Sequence, residues 1–499
     1  MKKLSFLLLI ALCSLLPSPL LGQWLETTIT VGTNPNDLVY NSTNNKIYTA
    51  NWGAGANSVT VIDGATNSII TTIPLGLNPH SLCYNPTNNK VYSNHPYGNS
   101  VNVIDGTSNN VIASVSVGTY PYRPVYNPIN NKIYTANWTS NDVTVIDGTT
   151  NNVITTISLG TPSPWGPYDL GYNPTNNKVY CGNWANNTVA VIDGATDSVI
   201  TTIPAGTYPC AFVHNPTNNK VYWANSSASS SSVTVIDGAT DSIITTIPVK
   251  RVPYALVYNP TNNKVYCANQ WRDTVTVIDG ATDSIITTIP VGDEPSALIY
   301  NPTNNKVYCA NTGTYSSMGR TITIIGGATD SVLTTIEVGN GPKAFTYNPQ
   351  YNRVYVANYY GNSVSIIRDE IAGIDEIASP RLVMIKGVEI YPNPAKTVIR
   401  VRVPWASFTP NASRPTLKIF DVSGKLVKEI ASPAPLSKRQ FHNNYATSSK
   451  KVLGRNDKRI EISLKGINPG IYFLQIGTVE STLRRGDPTR EVKKFLVVR

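Results

Sequence analysis

The chain has 499 residues and a formal net charge of +10. The positive charge is confined to its C-terminal part: residues 369–499 contain 23 Lys and Arg against 12 Asp and Glu, whereas residues 1–368 contain 17 against 18. Because binding to phosphate backbones needs clustered cations, the nearly neutral first part argues against a nucleic-acid partner.

The N-terminus has the pattern of a secretory signal peptide. Lys2 and Lys3 precede the apolar stretch SFLLLIALCSLL, which is followed by Pro17 and by the small residue Gly22. The apolar stretch is too short to span a bilayer, and no later segment is long and apolar enough. We therefore predict a signal peptide at residues 1–22, cleavage before Gln23 and no transmembrane segment.

A repeated phrase organises residues 23–368. NPTNNKVYCAN at 301–311 has near-copies, 42 to 47 residues apart, that begin at Asn41, Asn85, Asn127, Asn173, Asn215, Asn259 and Asn348. Each unit contains four short runs rich in Val, Ile, Tyr and Thr, here named strands a to d in chain order. The runs are separated by turn sequences such as Asn-Pro-Thr-Asn-Asn and Asp-Gly. Four antiparallel strands per repeat predict the blades of a β-propeller.

The position of one strand predicts how the ring closes. The runs of types a, b and c occur eight times, but the last unit has no run of type d after SVSII, and the run WLETTITV (24–31) stands alone before the first unit. We predict eight blades, with this N-terminal strand on the outer edge of the last one. Seven blades with a leftover segment is the alternative.

The repeats resemble the YVTN-type β-propeller repeats of surface-layer and secreted proteins. The resemblance rests on NKIYTAN, NKVYCAN and RVYVAN, each followed by sequences like VTVIDGAT and TTIPVG, and it covers about residues 24–368. It implies the fold. It does not imply an activity, because propellers of this kind serve different roles.

A second β-rich unit follows a linker at 369–387. Residues 388–499 contain short strands with Ser-Gly and Pro-Gly turns and a polar, basic insert at about 431–459, and we predict a small β-sandwich. This unit resembles the C-terminal sorting domain of type IX secretion cargo. The matching positions, which would act as the sorting signal, are Tyr391, Pro392, Asn393, Pro394, Asp421, Gly424, Gly470, Tyr472, Lys493 and Lys494. The resemblance implies recognition by the type IX machinery and removal of the domain after export to the outer-membrane surface or the medium of a Gram-negative bacterium.

Motifs of familiar enzymes are absent from the sequence: it contains no HExxH, no G-x-S-x-G, no phosphate loop and no Cys-x-x-Cys. His80 and His95 occupy two loops of the second blade, where they could meet as a metal site or an acid-base pair, although a loop histidine is more often a polar surface residue. Charged loop residues identify no reaction by their spacing; they are Asp37, Arg123, Asp169, Arg251, Arg272, Asp293, Glu294 and Lys343. We predict no catalytic residue, no metal and no cofactor.

Cysteine and aspartate positions are expected to be structural. The five cysteines beyond the signal peptide form an odd set, three of them in one strand-b position, so we predict no structural disulfide and no Cys-bound metal. Six aspartates stand directly before Gly, which predicts hairpin turns rather than calcium ligands; they are Asp63, Asp105, Asp147, Asp193, Asp237 and Asp279.

Comparison of the repeats predicts which face of the disc binds a ligand. The a–b and c–d turns are nearly identical between units, whereas the b–c and d–a loops, which must lie on the opposite face, differ in every unit and are rich in aromatic residues. The candidate binding residues are Trp52, His95, Tyr97, Trp138, Trp165, Trp184, Trp271, Tyr315 and Tyr359. Exposed flat side chains suit sugar rings or protein partners. The alternative is that each Trp packs between blades. Lys132, Lys178 and Lys220, in turns of the other face, are expected to be solvated.

The leading hypothesis is an exported or cell-surface propeller that binds a polymer, glycan or protein, without chemistry. The first alternative is a propeller enzyme, a lyase or hydrolase, acting on polysaccharide. A minor alternative is a periplasmic propeller that binds nucleic acid, which the charge distribution disfavours. We expect a monomer.

Overall fold

The computed structural model describes residues 22–369, apart from residues 77 and 161–164, and the backbone of seven strands in the C-terminal region. The chain divides into two compact units, Met1–Ala372 and Gly373–Arg499. The predicted signal peptide lies almost wholly outside the described residues, and so does all of the predicted linker except residue 369.

The first unit consists of eight four-stranded antiparallel sheets, which are the blades of a propeller. Blade 1 contains strands β2 (Pro35–Asn41), β3 (Lys46–Asn51), β4 (Ser58–Asp63) and β5 (Ile69–Pro74), and blade 2 contains β6 (Ser81–Asn85), β7 (Lys90–His95), β8 (Ser100–Asp105) and β9 (Val111–Ser116). Blade 3 contains β10 (Pro121–Asn127), β11 (Lys132–Asn137), β12 (Asp142–Asp147) and β13 (Val153–Ser158), and blade 4 contains β14 (Pro167–Asn173), β15 (Lys178–Asn183), β16 (Thr188–Asp193) and β17 (Val199–Pro204). Each blade pairs its strands in chain order.

Blades 5 to 7 repeat this arrangement. Blade 5 contains β18 (Pro209–Asn215), β19 (Lys220–Asn225), β20 (Ser232–Asp237) and β21 (Ile243–Pro248). Blade 6 contains β22 (Pro253–Asn259), β23 (Lys264–Asn269), β24 (Thr274–Asp279) and β25 (Ile285–Pro290). Blade 7 contains β26 (Pro295–Asn301), β27 (Lys306–Gly313), β28 (Met318–Gly326) and β29 (Ser331–Glu337). Two short 3-10 helices, Pro96–Gly98 and Gln270–Arg272, lie in the b–c loops of blades 2 and 6.

Blade 8 confirms the predicted closure. It contains β30 (Pro342–Asn348), β31 (Arg353–Asn358), β32 (Ser363–Asp369) and, as its outer strand, β1 (Gln23–Thr30) from the start of the propeller. β1 pairs antiparallel with β32 from Gln23 opposite Asp369 to Thr30 opposite Ser363. The first and last segments of the propeller therefore share one sheet, and the ring has eight blades.

The apolar core lies between neighbouring blades. Tyr134 and Val145 of blade 3 pack in one buried cluster with Val179 and Ile192 of blade 4, and equivalent clusters occur at the other blade boundaries. Strands b and c are buried on both faces, because each middle strand contacts the blade before it and the blade after it. This explains why the KVY and VTVI runs are almost continuously apolar.

The repeated Asn-Pro-Thr-Asn-Asn-Lys turn joins each blade to the next. Asn41 Oδ1 accepts a hydrogen bond from Thr43 N at 3.0 Å, which forms the turn, and Asn41 Nδ2 donates to Asn89 Oδ1 of blade 2 at 2.8 Å. Thr43 Oγ1 also pairs with the Tyr84 hydroxyl of blade 2 at 2.6 Å. All eight copies make the Asn–Asn bond across a blade boundary, and the six copies that have Thr at this position add the Thr contact, which explains why the phrase is repeated.

The expectation that the turn lysines are solvated was wrong. Lys132 Nζ lies 2.7 Å from Asp197 Oδ2 in the c–d turn of the next blade, and the two side chains are 12% and 6% exposed. Lys178 and Lys220 make the same contact, also at 2.7 Å, with Asp241 and Asp283. The lysine is long enough to reach the next turn, and its charge is compensated there.

The prediction that the repeated aspartates form hairpin turns is confirmed. Asp63 Oδ1 accepts hydrogen bonds from Ala65 N at 2.9 Å and Thr66 N at 2.7 Å. Asp279 does the same with the backbone of Ala281 and Thr282, and these bonds, Thr282 first, lower the pKa of Asp279. The carboxylates are therefore used by the turn itself.

The second unit is described only as backbone. Its strands are β33 (Glu389–Pro392), β34 (Val398–Pro404), β35 (Pro415–Asp421), β36 (Leu426–Ala431), β37 (Asp457–Ser463), β38 (Gly470–Thr478) and β39 (Glu491–Val497). They form a three-stranded sheet in the order β33-β34-β37 and a four-stranded sheet in the order β36-β35-β38-β39. Packing of these sheets as a sandwich depends on side chains outside the described residues and stays a prediction, as do the roles of Asn393, Pro394 and Gly424, which lie outside them as well.

Candidate functional site

The b–c and d–a loops lie on one face of the disc, here called the loop face. Trp52 N, at the start of a b–c loop, donates to Asn34 O of the preceding d–a loop at 3.0 Å, and Tyr359 N donates to Gly341 O at 2.8 Å in the same arrangement. These bonds hold the first residue after strand b next to the start of strand a. Side chains from the two kinds of loop are therefore neighbours.

Ten ring side chains from blades 1 to 5 form a continuous chain of contacts on the loop face, here called the aromatic arc. Its members are Trp52, His80, Tyr97, Tyr120, Tyr122, Trp138, Trp165, Tyr168, Trp184 and Tyr208. Trp184 stacks on Tyr208 with ring centroids 3.9 Å apart, and Trp165 stacks on Trp184 at 5.5 Å. The arc thus presents a ring surface that crosses several blade boundaries.

The predicted binding residues differ in exposure. Tyr97 is 64% exposed and Trp165 51% exposed, and both belong to the arc. Trp271 is 53% exposed and Tyr315 82% exposed, but they lie on blades 6 and 7, where Trp271 contacts Arg251 and Tyr315 contacts Tyr360. Only part of the predicted set is therefore brought together.

The remaining predicted residues are less accessible. Trp52, Trp138, Trp184 and Tyr359 are half-buried. Trp138 and Trp184 pack against a small buried cluster that includes Tyr168 and Cys210, so each of them contacts the protein on one side and solvent on the other. His95 is fully buried in β7, because strand b is covered by neighbouring blades, and we leave it out of the proposed contact surface.

A cavity of about 360 Å³ lies where the eight strands of type a begin, at the loop-face end of the central channel. In every blade a Pro stands at or just before the start of this strand, and the second residue after it lines the cavity. This position holds Asp37, Ser81, Arg123, Asp169, Ala211, Ala255, Ala297 and Ala344 in blades 1 to 8. The fold accepts alanine at four of the eight places, so a charged residue is not needed at this position to form a blade.

Asp37 and Asp169 belong to the wall of this channel mouth. Asp37 accepts hydrogen bonds from Leu38 N at 2.9 Å and from Leu82 N of the next blade at 2.8 Å. Burial raises the pKa of Asp37 to about 6, although the bond from Leu82 opposes the shift. Burial also raises the pKa of Asp169, which lies 3.6 Å from the Arg123 guanidinium. Both carboxylates connect neighbouring blades.

The cations of the channel mouth are less completely paired. The Arg123 side chain is 41% exposed, and its guanidinium lies 5.5 Å from the Tyr168 ring centre. Lys343 Nζ lies 4.2 Å from the Tyr359 ring centre, and no carboxylate oxygen of the described residues is within 4.0 Å of it. Burial, then repulsion from Arg123, lowers the pKa of Lys343 to about 8. The mouth thus contains two cations with capacity for a further partner.

His80 links the arc to the channel mouth. Its ring lies 4.2 Å from that of Tyr122 and 4.8 Å from that of Trp52. Burial and the charges of Lys343 and Arg123 lower the pKa of His80 to about 3. The imidazole is therefore neutral at pH 7 and adds a flat, uncharged ring to the surface.

The described residues contain no group of three or more His, Cys, Asp or Glu side chains placed to hold a metal ion. Cys83, Cys181, Cys210, Cys267 and Cys309 are free thiols in the structure, and burial raises the pKa of each. Within the same residues, no helix has the length and hydrophobicity needed to cross a membrane.

Comparisons with known proteins identify the C-terminal unit and the fold. Residues 389–445 match the family of secretion system C-terminal sorting domains. A search of curated proteins gives no match. Among solved structures, the chain is similar to Sqt1 of Saccharomyces cerevisiae with a TM-score of 0.59 and 11% identity, over 70% of this chain and 99% of that one. Hydrazine synthase of Kuenenia stuttgartiensis gives a TM-score of 0.48 and 17% identity, over 70% and 98%. At 11% identity, the similarity to Sqt1 shows the fold alone.

The sorting-domain match and the propeller together describe an exported protein. The match indicates secretion by the type IX system and hence an interaction with its machinery, so the protein reaches the cell surface or the medium. The chain is an eight-bladed β-propeller that carries a type IX secretion C-terminal sorting domain.

Proposed function

We propose that this exported propeller is a non-catalytic binding protein and that its loop face binds a polysaccharide. The aromatic arc is the observation that supports this most strongly, because nine of its ten rings are exposed or half-buried and form a surface on which successive sugar rings could stack; the tenth ring, Tyr168, is buried. The arc crosses blades 1 to 5, so it offers several subsites rather than a single pocket. A protein ligand is the other occupant that such a surface fits.

The opposite face supports this assignment by contrast. Its turns repeat the same sequence in almost every blade, and their Asn, Lys and Asp side chains are used in bonds to the next blade. Few groups remain there for a ligand. The loop face carries the residues that differ between blades.

A glycan array tests the proposal. The protein purified after export should bind a subset of polysaccharides with a dissociation constant in the micromolar range and leave them intact. Chromatography of the bound glycan after long incubation would detect cleavage. Binding to no glycan, together with capture of a specific protein, would replace the glycan with a protein ligand.

A polysaccharide-cleaving enzyme is a second candidate, favoured by one observation. Asp37 has a pKa of about 6 and lines the same cavity as His80 and Arg123, so the channel mouth contains a carboxyl group of the acidity that general catalysis uses. Both oxygens of Asp37 accept backbone hydrogen bonds, which favours a structural role. New reducing ends or unsaturated products in the incubation would establish this second function.

A further inference from the structure

We infer that the channel mouth is an anion subsite, which makes the ligand of the loop face an acidic polysaccharide whose carboxylate or sulfate group contacts Arg123 and Lys343. The inference rests on the proposed glycan-binding function and specifies the chemistry of the glycan. It is carried by the position of two cations at the mouth, directly beside the aromatic arc.

The repeat itself shows that a blade can form without a cation at these two positions. Arg123 occupies the position that is Ala211, Ala255, Ala297 and Ala344 in blades 5 to 8, and Lys343 occupies the position that is Ser296 in blade 7. The strands of type a in blades 5 to 8 pair with strand b through this Ala, whereas the pairing in blade 3 passes from Pro121 to Pro124 and leaves Arg123 out of the ladder. A residue that the scaffold can replace with Ala or Ser, yet which carries a full charge into a cavity, is free to serve a ligand.

The two cations have different electrostatic surroundings, and neither is saturated. Arg123 is paired with Asp169 only at 3.6 Å, and 41% of its side chain is exposed, so donors of the guanidinium remain available. Lys343 is half-buried, has Asp37 in its vicinity but no carboxylate oxygen of the described residues within 4.0 Å, and is repelled by Arg123. An anion between the two would remove this repulsion and favour the charged lysine.

The carboxylates of the mouth do not act as the anion between Arg123 and Lys343. Asp37 and Asp169 accept hydrogen bonds from the backbone of their own strand and of the next blade, namely Leu82 N for Asp37 and Phe212 N for Asp169. Their oxygens are thereby held against the wall. The other polar side chains that line the cavity carry no charge; they are the rings of His80, Tyr122 and Tyr254 together with Asn36, Ser81 and Ser296.

The position of the subsite fits one extended ligand. Tyr122 and Tyr168 belong to the arc, and Arg123 lies next to Tyr122 in sequence and 5.5 Å from the Tyr168 ring centre. A sugar ring stacked on Tyr122 therefore places its substituents near the guanidinium. A carboxylate and a sulfate ester share the oxygen acceptors that Arg and Lys recognise.

The experiment compares acidic and neutral glycans that have the same backbone. Oligogalacturonate and its methyl ester form one pair, and dextran sulfate and dextran form the other, so the two pairs separate a carboxylate ligand from a sulfate ligand. Titration calorimetry should show that the exported protein prefers the acidic member of at least one pair by tenfold or more. The double variant Arg123→Ala, Lys343→Ser should lose that preference and bind the neutral member within twofold of the unchanged protein.

Arg272→Ala is the matched control, because Arg272 is an exposed cation of the loop face that lies outside the cavity. It should leave the preference intact. Equal binding of acidic and neutral members by the unchanged protein overturns the anion subsite and leaves the proposed function standing. Retention of the preference by the double variant overturns it too. Binding to none of the four glycans counts against the proposed function and against the subsite together.

Discussion

Lys306 Nζ lies 2.7 Å from Asp369 Oδ1. Asp369 here takes the place of the c–d turn aspartate that the equivalent lysines of other blades contact. In blades 3 to 6, the equivalent lysine contacts an aspartate in the c–d turn of the next blade. Blade 8 has no c–d turn, because its outer strand is β1. Asp369, at the end of β32, also accepts hydrogen bonds from Asn301 and Tyr308 and so completes the boundary between blades 7 and 8.

Removal of the Asp369 carboxylate should weaken the ring at its closure. Asp369→Ala leaves the Lys306 ammonium without its partner in a nearly buried position, so we expect the free energy of unfolding to fall by about 3 kcal/mol. Asp369→Asn should cost clearly less, since Lys46 and Lys90 use Asn109 and Asn151 in the same way. Thermal unfolding measures both, and equal melting temperatures for the Ala variant and the unchanged protein contradict the role.

The turn lysines should contribute to stability as well. Replacement of Lys132, Lys178 and Lys220 by Ala breaks three ion pairs between blades, with an expected loss of roughly 1.5 to 3 kcal/mol per site. Ile129→Ala, at a 59% exposed position of the same face, is the control and should change stability little. Denaturant unfolding compares the two. A triple variant as stable as the control would show that these bonds add nothing.

Stability should depend on pH through Asp37. Its pKa is raised from 3.8 to about 6 in the folded state, so the folded protein binds the proton more tightly than the unfolded chain does. The contribution of this group is therefore favourable below about pH 4 and is lost as the pH rises through 6. Relative to Asp37→Asn, the unchanged protein should lose stability between pH 4 and pH 7. A difference in melting temperature that stays constant over this range excludes the effect.

Export should depend on the C-terminal unit. Deletion of residues 388–499 removes the region that contains the sorting-domain match, and we expect the propeller to accumulate in the periplasm instead of reaching the surface or the medium. Immunoblotting of cell fractions from the producing organism measures this. An unchanged amount outside the cell would mean that another signal directs export.

The sequence was sufficient to predict the fold because each unit contains its own strand and turn signals. Eight blades and closure by β1 followed from counting strands of type d, and both are confirmed. The environment of Lys132 was not predictable from one unit, because its partner Asp197 lies 65 residues further along the chain in another blade. From the turn sequence of one unit alone, the lysine side chain is expected to be exposed to solvent.

The channel mouth was harder to predict for a related reason. Asp37, Arg123, Asp169 and Lys343 are far apart in sequence and meet only because eight strands converge at one axis. An alignment of the eight Pro-led starts of strand a would have revealed the signal, since charged residues occur there in some blades and Ala in others. The rings of the arc likewise come from loops of different lengths. Their contacts with one another could therefore not be predicted from the sequence and became visible only in the structure.

The central claim is that the aromatic arc is the contact surface, and one comparison of two double variants tests it most directly. Tyr97→Ala with Trp165→Ala removes exposed rings of the arc, and Trp271→Ala with Tyr315→Ala removes rings of similar or greater exposure on the same face outside it. All four positions are exposed, so both variants should melt within a few degrees of the unchanged protein. Titration with the best glycan from the array should show at least a tenfold loss of affinity for the first variant and none for the second. Equal affinities for the two variants, or a loss confined to the second, would contradict the account.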